Sequence, residues 1–258
     1  MSLHAPGPRP VEDRRRDLAR GAADALSELP LFRGLDDACL EPLRGRWRTS
    51  RARRGEFLFR PGEVANCVFA ILSGTAKVIH LTPRGDERVI YFVGEGDVLG
   101  EPAVLVQEPY ELAAQATSKC TVLMIPSGPM LDLIAHQPEV ARRLFRGLAA
   151  RFVRTLKDAL EYRNLPTQER LARYLLSLAG EVRATEIQLP ASKGDIASLL
   201  CMSRETLSRA FARLQTRRCI QLTGKCLRFT DAGALAALLK DYYSRPRRRF
   251  RRGDASLD

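Results

Sequence analysis

Residues 203–214 read SRETLSRAFARL. Serine is a preferred helix N-cap, so the pattern predicts a helix that begins directly after Ser203. Apolar residues recur at helical spacing on one face: Leu207, Ala210, Phe211 and Leu214. The opposite face is polar and carries Arg204, Glu205, Ser208, Arg209 and Arg213. One face of this helix is therefore expected to pack on a core and the other to meet a ligand.

A second capped helix is predicted immediately upstream. Ser192-Lys193-Gly194-Asp195 has a serine followed three residues later by an acid, which is the pattern of a capping box. Downstream, Ile220-Gln221-Leu222 and Leu227-Arg228-Phe229 flank a turn containing Gly224, which predicts a hairpin. Two helices in quick succession followed by a hairpin predict a winged helix-turn-helix.

The charge distribution indicates the ligand. The chain has 258 residues with a formal net charge of +12, and residues 164–258 alone contain 18 Lys+Arg against 9 Asp+Glu. A surplus of this size favours a polyanion such as nucleic acid or an anionic membrane surface. Together with the predicted winged helix-turn-helix in the same segment, it favours double-stranded DNA. Arginine can donate two hydrogen bonds to guanine, glutamate can accept from cytosine, and serine can contact either base or phosphate.

The predicted DNA contacts form two groups. The residues expected to read bases are Arg204, Glu205, Ser208 and Arg209. The residues expected to contact the DNA backbone are Ser192, Lys193, Ser203, Thr206, Arg213 and Lys225. Taken alone, the exposed helix face is better explained as a solvated surface with a Glu205–Arg209 salt bridge. Its setting in a capped helix pair within the most basic segment favours DNA.

The first half of the chain has a different pattern, with short β-type runs separated by glycines. These runs are Phe57–Phe59, Val68–Leu72, Ala76–Ile79, Val89–Val93 and Cys120–Ile125, and Arg84-Gly85-Asp86 resembles a hairpin tip. Many short strands with regular turns predict a small antiparallel, jelly-roll-like β-roll, expected over residues 26–137. The fold class is therefore expected to be α+β.

After Pro138 the apolar residues recur with helical periodicity, which predicts one long helix over residues 138–163. Such a helix with a single apolar stripe favours a second copy of the chain as partner, giving a homodimer; the alternative is packing within one domain. The stripe contains Leu144, Phe145, Leu148, Phe152, Leu156 and Leu160.

Asn164-Leu165-Pro166 interrupts the helical pattern, since proline disfavours helix at the preceding residue. The winged helix-turn-helix is expected over residues 164–243, with a helix from Thr167 to about Ala179 and a short strand near Glu186–Pro190. Basic tails at residues 1–25 and 244–258 are expected to be disordered.

Several classes of function are disfavoured. No apolar run is long enough to span a membrane, and the N-terminal segment lacks the apolar core of a secretory signal, so a cytoplasmic protein is expected. The six cysteines form no C-x-x-C pair and are expected to be reduced thiols, mostly buried. No nucleophile–base pair, metal-spaced His/Cys set or phosphate-cradling glycine loop is present, so neither catalytic nor metal-ligating residues are expected.

At this point the sequence, from roughly Leu31 to Leu238, resembles the Crp/Fnr family of bacterial transcription regulators. The similarity is carried by residues 55–62, by Ile71-Leu72-Ser73-Gly74, by residues 96–101 (GDVLGE) and by residues 203–209 (SRETLSR). In that family the positions of Glu205 and Arg209 read bases, the position of Arg204 does so in the Crp branch, and that of Ser208 in the Fnr branch. The resemblance implies a TTGA or TGTGA half-site and RNA polymerase as a partner.

Two departures from the family pattern stand out. Cys201 occupies a turn position where many relatives have glycine; if φ is positive there, a non-glycine residue costs about 1 kcal/mol. In cAMP-binding relatives an arginine followed by Ser/Thr and Ala neutralises the cyclic phosphate. Here the Gly100-Glu101 pair leads instead into Pro109-Tyr110-Glu111-Leu112-Ala113, without arginine. A phosphate beside Glu101 and Glu111 would be repelled, so cAMP is not expected as the effector.

The candidate effector pocket comprises Gly100, Glu101, Tyr110 and Glu111. An iron–sulfur cluster is not expected, since no cysteine precedes Cys39. Haem is retained as a possible cofactor, because relatives that lack both the phosphate-binding arginine and the cysteine cluster include haem proteins. The candidate haem ligands are His4, His80 and His136. An ordinary structural role is favoured for each histidine, and likewise for Cys67 and Cys120 over redox sensing.

A different class of function remains in competition. The chain could be a ligand-binding or architectural protein whose basic part coats DNA without reading it. A preference for one DNA sequence that persists across salt concentrations would separate the two hypotheses.

Overall fold

The computed structural model describes residues 26, 29–36, 38–82, 86–182 and 185–244. The chain divides into two compact units: residues 1–160 with Pro190–Leu199, and Glu161–Leu189 with Leu200–Asp258. The predicted tails at 1–25 and 245–258, and Arg84 and Gly85 of the hairpin tip, lie outside the described residues. Ser244, expected in the tail, is instead the last residue of a helix.

The first unit contains eight strands, four α-helices and one 3-10 helix (Glu41–Leu43) among its described residues. The strands are β1 (Arg48–Ala52), β2 (Phe57–Phe59), β3 (Cys67–Ser73), β4 (Ala76–Leu81), β5 (Glu87–Val93), β6 (Val98–Leu99), β7 (Ala113–Ala116) and β8 (Cys120–Pro126). The helices are α1 (Glu101–Val106), α2 (Ser127–His136), α3 (Pro138–Asn164), whose last turn belongs to the second unit, and α5 (Lys193–Leu199).

The strands form two antiparallel sheets of four, in the orders β1-β8-β3-β6 and β2-β7-β4-β5. All five predicted strands are present, and the predicted α+β class with an antiparallel roll is confirmed. One core lies between the sheets and includes Phe69 and Ile71 of β3, while Val68 and Ala70 on its other face pack with α2 and α3 in a second core. Burial on both faces explains why β3 is an uninterrupted apolar run.

Three strands were not predicted, for local reasons. β1 is the polar sequence RTSRA, four of whose five residues are exposed, so it lacks an apolar signal. β7 is the alanine-rich sequence AAQA, and β6 has only two residues. β1 pairs with β8, β7 pairs with β2 and β4, and β6 pairs with β3. Each of these strands is defined by its pairing and not by its own sequence pattern.

Gly74 shows why a glycine separates β3 from β4. Its φ is +90°, and a Cβ atom there would overlap the main-chain oxygen of Lys119. Only glycine satisfies both the left-handed backbone and the close approach. The turn thereby brings Thr75 beside Ser118, whose hydroxyl oxygen accepts a hydrogen bond from the Thr75 amide at 2.9 Å.

The second unit holds the remaining elements. They are α4 (Thr167–Val182), β9 (Glu186–Gln188), α6 (Arg204–Thr216), β10 (Ile220–Thr223), β11 (Cys226–Phe229) and α7 (Ala232–Ser244). The strands form an antiparallel sheet in the order β10-β11-β9, with Thr223 opposite Cys226 at the hairpin turn. The predicted break at 164–166, the strand and the hairpin are present. Helix α4 runs three residues beyond the predicted Ala179.

The predicted apolar stripe of helix α3 has two parts, one packed in the core of the first unit and one exposed. Leu144 is buried in the core of the first unit, and Leu148 packs against that core. The other members, Phe145, Phe152, Leu156 and Leu160, are exposed together with Val153. The expectation of one continuous partner-facing stripe is therefore corrected for Leu144 and Leu148. Within the described part of the chain, no helix has the length and apolar character needed to cross a membrane.

Candidate DNA-binding and effector sites

The start of helix α6 has the predicted geometry. Ser203 is its N-cap, with extended backbone angles, and its hydroxyl oxygen accepts a hydrogen bond from the Thr206 amide at 3.2 Å. Leu207, Ala210, Phe211 and Leu214 are buried, whereas all four predicted base-reading residues are exposed. The apolar face thus anchors the helix and leaves the first two turns accessible.

The exposed face of α6 carries charge of both signs. Hydrogen bonds from its own main-chain N–H and from Ser203 hold the pKa of the Glu205 carboxyl below its usual value, with further contributions from Arg204 and Arg209. Glu205 is therefore an ionised acceptor at neutral pH, as hydrogen bonding to cytosine N4 requires. Arg209 Nη2 lies 3.4 Å from the hydroxyl of Thr206, which steadies its guanidinium beside the helix.

Arg170 of α4 holds the turn that precedes α6, and no periodic pattern predicts this role. Its Nη1 donates to the main-chain oxygens of Leu200 at 2.7 Å and Cys201 at 3.1 Å, and its Nη2 donates to that of Leu165 at 2.9 Å. Cys201 has a φ of +53°, so the expected left-handed turn is present. A partly buried guanidinium that donates to these carbonyls holds the turn from which α6 begins.

A cleft of about 200 Å³ lies beside the reading face, lined by Thr167, Gln168, Thr206, Arg209, Ala210 and Arg213. Thr167 and Gln168 form the N-terminus of α4, whose amide groups carry partial positive charge. Two arginines and a helix N-terminus make this cleft suited to a DNA phosphate. Sequence reasoning included Thr206 and Arg213 but missed Thr167 and Gln168.

The other predicted backbone contacts lie elsewhere. Lys225 is exposed at the hairpin turn next to Gly224, whose φ is +61°. Ser192 and Lys193 belong to the first unit. The Ser192 hydroxyl donates to Asp195 Oδ2 at 2.6 Å and accepts from the Asp195 amide at 3.1 Å, so the predicted capping box is formed.

Two cavities lined by described residues of the first unit separate the predicted effector residues. The helix-side cavity, of about 440 Å³, includes Glu101, Tyr91, Val98 and one side of α3 from Arg143 to Asp158. The roll cavity, of about 240 Å³, contains the other three predicted residues, Gly100, Tyr110 and Glu111. The expectation that Glu101 lines the same pocket as these three residues is therefore corrected.

Glu101 is turned toward helix α3. Its carboxylate is 2% exposed and ion-paired with Arg151. Arg151 also donates to the main-chain oxygen of Val98 at 2.8 Å and lies over the Tyr91 ring, 5.4 Å from its centroid. The pattern-based reasoning missed Arg151, because only the tertiary fold brings residue 151 to residue 101.

Tyr110 forms the inner wall of the roll cavity. Its ring stacks on Phe59 at 4.2 Å between centroids, and its hydroxyl donates to the main-chain oxygen of Cys67 at 2.5 Å. Burial raises the pKa of Tyr110 to about 12, so the phenol is neutral at physiological pH. A Cβ on Gly100 would lie 3.1 Å from the Tyr110 ring, which explains the glycine there.

The remaining candidate ligands lie away from both cavities. His80 and His136 are exposed and line neither cavity, and a ring nitrogen of His136 lies 2.8 Å from the Asp132 main-chain oxygen. His4 lies outside the described residues. All six cysteines are free; Cys67, Cys120 and Cys219 are buried, and burial raises the pKa of the Cys67 thiol. Among the described residues, no three His, Cys, Asp or Glu side chains are grouped as metal ligands.

Comparison with known families gives two matches along the chain. Residues 49–137 match a cyclic nucleotide-binding domain, and residues 169–238 match a Crp-like helix-turn-helix domain. The solved structure of FixK2 from Bradyrhizobium japonicum is similar, with a TM-score of 0.67 and 25% identity over 74% of this chain and 96% of FixK2.

Curated relatives agree with these matches. The transcriptional activator protein Anr of Pseudomonas aeruginosa is 31% identical over 72% of this chain and 78% of its own length. The CRP-like cAMP-activated global transcriptional regulator of Mycobacterium tuberculosis is 27% identical over 83% of this chain and 97% of its own. This chain therefore belongs to the Crp/Fnr family of DNA-binding transcription regulators.

Proposed function

We propose that this regulator is an effector-responsive homodimer that binds inverted-repeat DNA with half-sites of the TTGA or TGTGA type. The exposed first two turns of α6 carry this proposal, because Arg204, Glu205, Ser208 and Arg209 project from a capped and anchored helix. The N-terminal part of a recognition helix is the part that enters the major groove. The relatives named above are transcription regulators, which favours regulation over catalysis.

The exposed part of α3 supports a homodimer. Phe152 is 67% exposed, Val153 61% and Leu160 58%, on a helix of 27 residues. Large apolar side chains clustered on one exposed helix face mark a protein–protein contact, and the same face of a second copy is its simplest complement. Dimerisation presents two copies of α6 to two half-sites.

The charges around the roll cavity argue against cAMP as a ligand of that cavity. Neither lysine nor arginine lines the roll cavity, whereas Glu108 and Glu111 do. Glu101 is engaged by Arg151 of the same chain. A cyclic phosphate in the roll cavity would lose its hydration without gaining a cation, which is unfavourable.

Selection of bound sequences from random duplexes tests the proposed DNA recognition. The expected result is a two-fold-symmetric motif with half-site centres roughly 34 Å apart, one helical turn of DNA. Arg209→Ala should abolish the sequence preference. Arg217→Ala, at the far end of the same helix, should leave the motif unchanged. A motif without two-fold symmetry, or no motif, would reject the proposal in favour of non-specific DNA coating.

The proposal also includes a cellular location and a protein partner. The chain is expected to act in the cytoplasm and to contact RNA polymerase. Transcription in vitro from a promoter bearing the selected site, with purified polymerase, should change when the protein is added. No change on that template, when footprinting shows the protein bound to the site, would remove polymerase as a partner without affecting the DNA-reading proposal.

A further inference from the structure

The roll cavity has the chemistry of an apolar pocket. It is bounded by β2, β4 and β5, by helix α1, and by the segment 108–112 that precedes β7. Its apolar lining consists of Phe59, Val78, Pro102, Ala103, Val106, Pro109 and Leu112. Val106 is 65% exposed, which places a large apolar side chain in contact with solvent. Exposed and concave apolar surface of this kind is the usual lining of a small-molecule site.

The buried Tyr110 hydroxyl has little capacity left to hydrogen-bond a ligand. The Tyr110 hydroxyl donates to the Cys67 main-chain oxygen and accepts from the Cys67 amide at 3.4 Å. The ring of Tyr110, rather than its hydroxyl, is thus the surface offered to a ligand, next to the stacked ring of Phe59. Two aromatic rings favour a ligand with a flat apolar body.

The charged groups at the cavity are of one sign and lie in solvent. Glu108 and Glu111 are both exposed, and neither lysine nor arginine is among the lining residues. An anionic ligand would meet two carboxylates and no cation. A cationic ligand would meet carboxylates weakened by solvent screening and would still lose hydration on entering the apolar interior. A neutral ligand is not repelled by the carboxylates and has no ionic hydration to lose.

Resting on the proposed effector-responsive function, we propose that the roll cavity binds an uncharged, largely apolar small molecule containing a flat ring system, and that this class of compound is the effector. The inner wall formed by Phe59 and Tyr110 receives the ring, and Val106 and Leu112 contact its outer part. Arg151 keeps the Glu101 carboxylate in the helix-side cavity, so the apolar character of the site is maintained.

Three probes of almost the same shape test the charge preference on the full chain. They are 2-naphthalenemethanol, 2-naphthoate and 2-naphthylmethylamine, which are neutral, anionic and cationic at pH 7. Dissociation constants are measured by calorimetry or ligand fluorescence without DNA. The neutral probe is expected to bind at least about tenfold more tightly than either charged probe, because only the charged probes lose ionic hydration. Tighter binding of the naphthoate, of the amine or of cAMP overturns the proposal, as does absence of binding by the neutral probe.

A cavity-filling variant locates the site. Ala103→Phe adds a ring to the lining and should reduce binding of the neutral probe at least about tenfold, whereas Val64→Phe, at an exposed residue outside the cavity, should not change it. If Ala103→Phe lowers the thermal midpoint, Leu112→Phe replaces it. Unchanged binding in a folded cavity-filling variant places the ligand elsewhere and overturns the proposal. Since no DNA is present, these failures are distinguishable from failure of the DNA-reading proposal.

Discussion

Arg170 Nη1 lies 3.1 Å from the main-chain oxygen of Cys201 and 2.7 Å from that of Leu200. Cys201 has a φ of +53°, and α6 begins three residues later at Arg204. One side chain of α4 therefore stabilises the left-handed turn that precedes the proposed base-reading face. The relationship joins residues 31 positions apart and is confined to the second unit.

Replacing Arg170 should loosen this turn. Arg170→Gln removes donors from three main-chain oxygens, and the loss should lower the free energy of unfolding of the second unit by about 2 kcal/mol. The measurement is hydrogen exchange of the full chain over a urea series, with protection compared at the amides of residues 161–189 and 200–244. Arg217→Gln, an exposed arginine at the end of α6, is the matched control. Equal effects of both changes would show that the carbonyl contacts contribute nothing.

Cys201→Gly should stabilise the turn. Glycine adopts a positive φ without strain, and the Arg170 contacts use only the main chain of residue 201, so a gain of about 0.5 to 1 kcal/mol is expected. Gly224→Ala is the opposite control, because φ is +61° there and nothing lies within 4 Å of the new methyl group. It should destabilise by about 1 kcal/mol. Thermal midpoints that move in the same direction for both variants would contradict the strain argument.

The Lys77–Asp195 ion pair of the first unit should give stability that depends on pH. The ammonium lies 2.7 Å from Asp195 and 2.8 Å from Glu87. Burial acts to raise the pKa of Asp195, but hydrogen bonds from Lys77 and Ser192 outweigh it and hold the pKa below the usual 3.8. Burial acts to lower the pKa of Lys77, and the two carboxylates outweigh that effect and raise it above 10.5.

A carboxyl with a depressed folded pKa stabilises above its unfolded pKa and loses that contribution as the pH falls through the folded value. The difference in unfolding free energy between wild type and Asp195→Asn should therefore be constant from about pH 5 to pH 9, near 1 kcal/mol, and shrink below pH 4. Urea unfolding followed by fluorescence of Trp47, the single tryptophan, measures it in the first unit. A difference that grows toward acid pH would reverse the assigned sign.

The exposed stripe of α3 predicts the oligomeric state. Leu156→Glu places a charge among Phe152, Val153 and Leu160, so the proposed dimer should dissociate at least about tenfold more readily. Sedimentation velocity over a concentration series measures the change. Val64→Glu, another exposed apolar residue, lies outside α3 and should leave association unchanged. A wild-type chain that is monomeric throughout would reject the homodimer.

Local patterns in the sequence were sufficient for the parts of the fold that local physics sets. The N-cap at Ser203, the capping box at Ser192 and the buried face of Leu207 and Phe211 follow from residue type and spacing, and the structure has all of them. The apolar run of β3 was also sufficient to predict a strand. Strand β1 could not be predicted, because it has no apolar alternation and is defined only by its pairing with β8.

By itself, the sequence determined that a capped, amphipathic, basic helix would present Arg204, Glu205, Ser208 and Arg209, because capping and periodicity act over a few residues. Tertiary structure alone decided which distant groups meet. It paired Glu101 with Arg151, placed Arg170 on the turn at Cys201, and drew Leu144 into the core while leaving Phe152 exposed. Such contacts join residues far apart along the chain, and their free energy depends on burial and charge that no local pattern records.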